Sequence, residues 1–131
     1  MDTPKDIETI EDIQLLVNTF YDKVQKNPLI GPIFISVIKN RWPEHLEKMY
    51  RFWQTVLLDE RTYSGNPFRP HATMPLEHQH FSAWLHIWNE TIDSFFSGAR
   101  ADEAKWRGGK MASMFLGRIE DYRSNPYQSL I

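Results

Sequence analysis

The sequence contains no cysteine among its 131 residues. This absence excludes disulfide bonds, thiolate nucleophiles, iron–sulfur clusters and thiolate metal sites, and it leaves the redox compartment undetermined. A strong excess of one sign of charge is also lacking, since acidic and basic residues are interspersed and the formal net charge is only −2. Without a concentrated basic region, neither a nucleic-acid partner nor an anionic lipid surface is favoured.

Long apolar runs are missing as well. No segment approaches the roughly eighteen apolar residues that span a bilayer, and the first stretch, MDTPKDIETIEDIQLL, carries acids and no apolar signal core. We therefore expect a cytoplasmic protein with no membrane partner. The length fits one domain, so we expect a single domain over residues 1–131 whose ends, 1–6 and 124–131, are loosely held.

Aromatic side chains and helical periodicity are what the sequence does have. Aromatic residues make up 14% of the chain, which implies a bulky core or a pocket lined with rings. Apolar residues recur at spacings of three and four, whereas signals for β-strands are nearly absent. The pattern predicts an all-α domain with four long helices, at about 7–26, 43–58, 76–97 and 100–123.

Two places depart from this periodicity. LIGPIF at 29–34 is predicted to form a turn that carries Phe34, followed by SVIKN as a short helix or an irregular link. Gly108 and Gly109 interrupt the last helix, and because glycine weakens a helix, the pair predicts either a break or a close contact with another backbone.

The connector between the second and third long helices carries a lone histidine. NPFRPHATMP at 66–75 places His71 among Pro67, Pro70 and Pro75. Prolines fix φ and restrict the preceding residue, so this segment should be stiff and not part of any long helix. Connectors of seventeen residues are unusual in a compact domain, and we therefore expect residues 59–75 to carry function.

The other histidines offer few sites of their own. His45 lies with Met49 and Phe52 on the predicted inner stripe of the second long helix, which Trp53 and Leu57 flank. His78 and His86 should face solvent, and His80 borders an apolar stripe where it can form a local hydrogen bond. HQH at 78–80 is a weak metal signal because residues i and i+2 of a helix project about 200° apart. Zinc-protease, serine-hydrolase, P-loop and dinucleotide-binding patterns do not occur.

What remains is a set of four residues on inner faces or on the stiff connector: Tyr21, His45, His71 and Trp84. Each of them alone is explained by core packing. Together with GPIF, RFW and FSAWL, in this order and spacing, they resemble the truncated haemoglobins, specifically the third group. The resemblance extends from NTFYDKV at 18–24 to MFLGRIEDY at 114–122, which is nearly the whole chain.

The resemblance implies a shortened globin fold, with helices packed two over two around haem b and His71 as the proximal iron ligand. An imidazole ligand must be neutral and held in one orientation, which a stiff loop can achieve. By the same resemblance, two cations are expected to meet the haem propionates and three apolar residues to wall the pocket: Lys48, Arg69, Phe34, Met49 and Phe52.

On the opposite haem face, the Tyr21 hydroxyl and the Trp84 indole N–H are expected to donate hydrogen bonds to a bound ligand. His45 matches the distal histidine of the family. We expect it to act as a gate to the pocket, with direct coordination of iron as the alternative.

The resulting hypothesis is a haem protein that binds dioxygen, nitric oxide and carbon monoxide. Two donors predict slow ligand release, which suits chemistry or sensing better than bulk oxygen transport. Reactions of nitric oxide, oxygen or peroxide would need an external reductase, because no flavin motif is present. Two rivals remain open: a haem-free helical interaction domain, and a non-haem metal bundle that uses His78 and His80.

Overall fold

A computed structural model describes residues 4–65, 67–68, 71, 74 and 76–124. Within these ranges the regular secondary structure is α-helix, joined by turns and irregular segments, and one isolated bridge pairs Lys5 with Phe96. The all-α prediction is confirmed, and the four long helices lie close to their predicted bounds. The helices are α1 (Ile10–Lys26), α2 (Gly31–Ile38), α3 (Trp42–Leu58), α4 (His78–Phe95) and α5 (Ala99–Ser124).

Helix α1 carries the central apolar stripe of the fold. It begins after Thr9, whose hydroxyl accepts a hydrogen bond from the Asp12 backbone N–H at 3.2 Å, while the Asp12 carboxylate accepts one from the Thr9 N–H at 3.1 Å. From this capped start the apolar residues of α1 face inward and are buried: Ile13, Leu16, Val17, Phe20, Tyr21 and Val24.

The predicted turn at 29–34 is wrong from Gly31 onward, because helix α2 begins there. Pro32 occupies the first turn of a helix, where its missing N–H costs nothing. A Cβ at Gly31 would lie 2.7 Å from the Gln25 carbonyl oxygen and 2.9 Å from that of Val24. Only glycine therefore allows α2 to start directly against the end of α1, and this approach sets the position of Phe34.

The helices pack around two hydrophobic clusters. Helix α1 contacts α2, α3 and α4, while α5 packs mainly on α4. The larger cluster lies where α1, α3 and α4 meet and includes the fully buried Phe20 and Trp88. A smaller cluster joins the irregular segment after α3 to α5 through Phe68, Leu76 and Phe115.

Helix α5 runs without interruption through Gly108 and Gly109, so the expectation of a break is wrong. A close contact does exist at Gly108, but it is made by a side chain of α4 and not by another backbone. A Cβ at Gly108 would lie 2.7 Å from Trp88 Cδ1, whereas Gly109 has nothing within 4 Å. Among the described helices, none combines the length and apolarity needed to cross a membrane.

The beginning of the chain is tied to the start of α5. The Asp6 carboxylate accepts hydrogen bonds from the backbone N–H groups of Ile7, Arg100 and Ala101 at 2.8–3.0 Å. Although burial opposes ionisation, these donors lower the pKa of Asp6. Within the segment 1–6, Asp6 makes these contacts and the Lys5 ammonium donates to the Asp12 carboxylate at 2.6 Å. Residues 125–131 of the other end lie outside the described residues.

Candidate functional site

One large cavity lies between the two hydrophobic clusters. Its volume is about 650 Å³, within the range typical of small-molecule and cofactor pockets. Eight of the nine residues expected at the site line it: Tyr21, Phe34, His45, Lys48, Met49, Phe52, His71 and Trp84. The ninth, Arg69, lies outside the described residues. The structure therefore brings together residues that are up to 63 positions apart in the sequence, as Tyr21 and Trp84 are.

The cavity explains the burial pattern of helix α3. The most buried apolar residues of α3 are Trp53 and Leu57, which we expected to flank its inner stripe. The expected stripe itself, with His45, Met49 and Phe52, is only half-buried. These three side chains border the cavity, so the open space in front of them accounts for their partial exposure.

The orientation of His71 is fixed by hydrogen bonds. Its Nδ1 lies 2.7 Å from the Pro67 carbonyl oxygen, and because a carbonyl can only accept, Nδ1 carries the proton. The backbone of His71 is held at 2.8 Å by the Phe68 carbonyl and at 3.1 Å by the Met74 N–H. Nε2 is therefore the nitrogen left with a free lone pair.

The surroundings of His71 keep its ring neutral. Burial lowers the pKa of His71, and the hydrogen bond to Pro67 opposes this only in part. The ring packs 5.0 Å from that of Phe115 on α5. A neutral imidazole with one defined free nitrogen is a suitable metal ligand. Pro70 and Pro75, to which the stiffness of the loop was also ascribed, lie outside the described residues.

Tyr21 reaches the cavity from α1. Its ring contacts those of Phe34 and His45 at centroid distances of 6.0 and 5.0 Å. Burial raises the pKa of the Tyr21 hydroxyl well above its usual range, so the group keeps its proton. Since the described residues provide this hydroxyl with no hydrogen-bond partner, it is available as a donor to a ligand in the cavity.

His45 lies beside Tyr21 and is also neutral at pH 7. Burial, with smaller contributions from His71, Lys48 and Arg41, lowers the pKa of His45 to about 4. Its Nε2 is buried and has no hydrogen-bond partner in the described part of the chain. A buried polar atom left unpaired is costly, which indicates that a bound group completes this site.

Sequence reasoning missed Trp42. The rings of Tyr21, Trp42 and His45 contact one another, with Trp42 5.8 Å from Tyr21 and 6.0 Å from His45. The available signal was spacing, since Trp42 precedes His45 by three residues and thus shares its helix face. Trp42 restricts the positions open to the His45 ring.

Trp84 on α4 is held by two further rings. It stacks on Trp88 at 5.8 Å with an interplanar angle of 18°, and Phe20 meets it edge-on at 5.4 Å. No partner for the Trp84 indole N–H occurs among the residues that the structure describes. It is therefore the second free donor on a residue that lines the cavity.

The remaining histidines behave largely as expected. His78 and His86 are exposed. His80 forms the local hydrogen bond that we predicted, with Nδ1 accepting from the Glu77 backbone N–H at 2.9 Å. That His80 also lines the cavity was not predicted. Within the described ranges, no group of three or more His, Asp or Glu side chains is arranged to hold a metal ion.

Comparison with known proteins identifies the family. A family model described as bacterial-like globin matches residues 6–114. The chain belongs to the bacterial-like globin family. Group 3 truncated hemoglobin ctb from Campylobacter jejuni is 32% identical to this globin over 121 residues, covering 88% of this chain and 95% of that protein.

A solved structure supports the same assignment at the level of the fold. The crystal structure of group III truncated hemoglobin from Campylobacter jejuni matches with a TM-score of 0.80 and 30% identity, over 92% of this chain and 98% of that one. The resemblance to the third group and the truncated globin fold are thus confirmed. Membership of the globin family implies haem binding and, with it, binding of diatomic gases.

Proposed function

We propose that this globin holds haem b through Nε2 of His71 and binds dioxygen, nitric oxide and carbon monoxide on the opposite face. One observation carries the proposal. A single cavity is lined by an imidazole whose free nitrogen is defined and by two hydrogen-bond donors, on Tyr21 and Trp84, that lack partners among the described residues.

The residues present fit such a group. The apolar side chains of Phe34, Met49 and Phe52 suit the faces of a porphyrin, and the unpaired Nε2 of His45 marks the cavity as incomplete in the protein alone. Lys48, exposed where it borders the cavity, suits a carboxylate at the porphyrin edge. We assign Lys48 and Arg69 to the propionates.

When bound, haem would supply an iron that Nε2 of His71 would hold and that would bind a diatomic ligand. The protein orients the bound group, excludes water from the pocket and donates hydrogen bonds to the ligand. His71 presents a neutral lone pair, and Tyr21 and Trp84 donate to the partial negative charge that dioxygen gains on binding. Because these donors lie in a largely apolar pocket, each bond is stronger than it would be in water, and ligand release is slow.

We assign His45 to gating. Its ring is neutral and lies against Tyr21 and Trp42 rather than in a hydrogen bond, so it can turn toward or away from the cavity without breaking one. The alternative, coordination of iron by His45, predicts a six-coordinate ferrous spectrum without added ligand that becomes five-coordinate in His45→Leu. A five-coordinate spectrum in both proteins supports the gate.

Replacement of His71 tests the haem assignment. Titration of the protein with haemin should give an intense Soret band that saturates at one haem per chain. His71→Ala should lose this saturable uptake, because the axial bond is removed, whereas the exposed control His78→Ala should keep it. A protein that ignores haemin would favour the haem-free interaction domain, and a chelator-sensitive metal content that survives His71→Ala would favour the non-haem metal bundle.

Replacement of the donors tests the distal assignment. Tyr21→Phe and Trp84→Phe should each speed oxygen dissociation, by about threefold to tenfold, since each removes one hydrogen bond to the ligand. Stopped-flow dissociation with carbon monoxide as the competing ligand measures the rate. Tyr50→Phe and Trp106→Phe are matched controls, because Tyr50 bonds to Asn18 outside the cavity and Trp106 is 58% exposed. Unchanged rates in both donor variants would contradict the assignment.

A further inference from the structure

The function proposed above makes no use of Gly108, although this residue occupies a tightly restricted position. It is buried on α5, against α4. A Cβ there would lie 2.7 Å from Trp88 Cδ1 and 2.8 Å from Trp88 Nε1. Real Cβ atoms do not come this close to other heavy atoms, so any other residue at position 108 requires the Trp88 ring to move.

Trp88 is closely surrounded by other rings. It is 1% exposed, stacks on Trp53 at 4.6 Å and on Trp84 at 5.8 Å, and meets Phe20 edge-on at 5.1 Å. Its indole N–H donates to the Ala104 carbonyl at 3.0 Å. Ala104 stands one turn before Gly108 on the same face of α5. The Trp88 indole is thus hydrogen-bonded to the backbone of α5, and it fits against this helix because Gly108 has no side chain.

Trp84 lies directly against this contact. One face of its ring lies on Trp88, and its Cζ3 would be 3.5 Å from a Cβ at Gly108. A displaced Trp88 ring therefore pushes on Trp84, which also contacts the fully buried Phe20. Protein interiors are close-packed, so such a shift is transmitted rather than absorbed.

We infer that Gly108 is a positioning residue for the distal site, because it admits Trp88 against α5 and thereby sets the indole of Trp84 at the cavity. Gly108 itself is not among the residues that line the cavity. Its effect on ligand release rests on the proposed function of Trp84 as a donor, but its effect on the position of Trp84 does not.

Gly109 provides a matched control. A Cβ at Gly109 meets nothing within 4 Å, and replacing either glycine by alanine favours the helix equally. In the protein as purified, Gly108→Ala should shift the indole ¹H–¹⁵N NMR signals of Trp84 and Trp88, assigned by Trp→Phe variants, while Gly109→Ala leaves both in place. Equal shifts in the two variants, or no shift in Gly108→Ala, would overturn the inference.

Ligand release supplies a second measurement. In the haem-loaded protein, Gly108→Ala should speed oxygen dissociation by about threefold to tenfold, as loss of one hydrogen bond predicts, while Gly109→Ala changes the rate by less than about twofold. Adding Gly108→Ala to Trp84→Phe should have no further effect, because both act through the same bond. An additive effect would overturn the inference. An unchanged rate in Trp84→Phe alone would refute the donor role, and the NMR comparison would still decide the positioning role.

Trp88→Phe keeps the inference testable if Gly108→Ala does not fold. This variant leaves Gly108 intact but removes the hydrogen bond to Ala104. It should also shift the Trp84 indole signal and speed oxygen dissociation. An unmoved Trp84 signal in Trp88→Phe would show that the contact with α5 does not set its position.

Discussion

The two sides of the cavity are built in different ways. On the helical side, Tyr21, His45 and Trp84 project from three helices and are held by contacts between rings. On the loop side, His71 stands on irregular backbone and is held by a hydrogen bond to a carbonyl group. The difference follows from the tasks proposed for each side. Packing is sufficient to place a hydroxyl or an indole N–H, but an imidazole that must present one particular nitrogen needs a hydrogen bond that fixes its tautomer.

The largest loss of stability should come from removing one supporting aromatic ring on each side of the cavity. Phe20→Ala should lower the free energy of unfolding by about 4 kcal/mol and Phe115→Ala by about 3 kcal/mol, because both rings are buried and leave cavities. Chemical denaturation monitored by circular dichroism measures both. The exposed Met114→Ala is a control that should change stability little.

The same pair of variants should separate the two sides. Phe20→Ala should move the NMR signals of Tyr21 and Trp84 and spare His71, since Phe20 contacts the first two rings. Phe115→Ala should move His71 and spare Tyr21. If either variant shifts the NMR signals of all these residues alike, the two sides of the cavity are not structurally independent, and the comparison fails.

An effect of intermediate size should arise from the protonation of His45. Its pKa is about 4 in the folded protein and about 6.5 when unfolded. The unfolded chain therefore binds the proton first, and stability falls as the pH is lowered from 6.5 to 4. Because the ring is only partly buried, we discount the full shift and expect this group to contribute about 2 kcal/mol of the loss.

His45→Gln should remove this part of the pH dependence. Urea unfolding at several pH values between 4 and 7 measures the free energy of unfolding of the variant and of the unmodified protein. His71 and the carboxylates contribute equally to both, so the difference between the two proteins isolates His45. His86→Gln, at an exposed site, should keep the original slope. Identical slopes in all three proteins would show that His45 is not held neutral by the helical side.

The smallest effect should come from Trp42→Leu. This change keeps an apolar side chain but removes the ring contacts with Tyr21 and His45, which we expect to cost about 1 kcal/mol. If Trp42 restricts His45, carbon monoxide association in the haem-loaded protein should also change, whereas the exposed Trp106→Leu should leave it unaltered. Association that does not respond to Trp42→Leu would leave Trp42 with a purely structural role.

The positions of the site residues on the helical side could largely be predicted from the sequence, whereas those on the loop side could not. Periodicity placed Tyr21, His45 and Trp84 on inner faces because a helix has a fixed repeat. The importance of His71 came from its isolation among prolines and from family resemblance, since no local rule predicts its bond to Pro67. Gly31 illustrates the limit: it was read as part of a turn because the approach of α1, which makes glycine necessary there, is a tertiary contact.

The hydrogen bonds of Asp6 to the start of α5 bear on the order in which parts of the chain fold. Its carboxylate binds backbone groups 94 and 95 positions further along the sequence. Closing so long a segment costs chain entropy that only an already formed α4–α5 pair can offset. We therefore expect this tie to form late in folding, so that Asp6→Ala speeds unfolding and leaves the folding rate nearly unchanged.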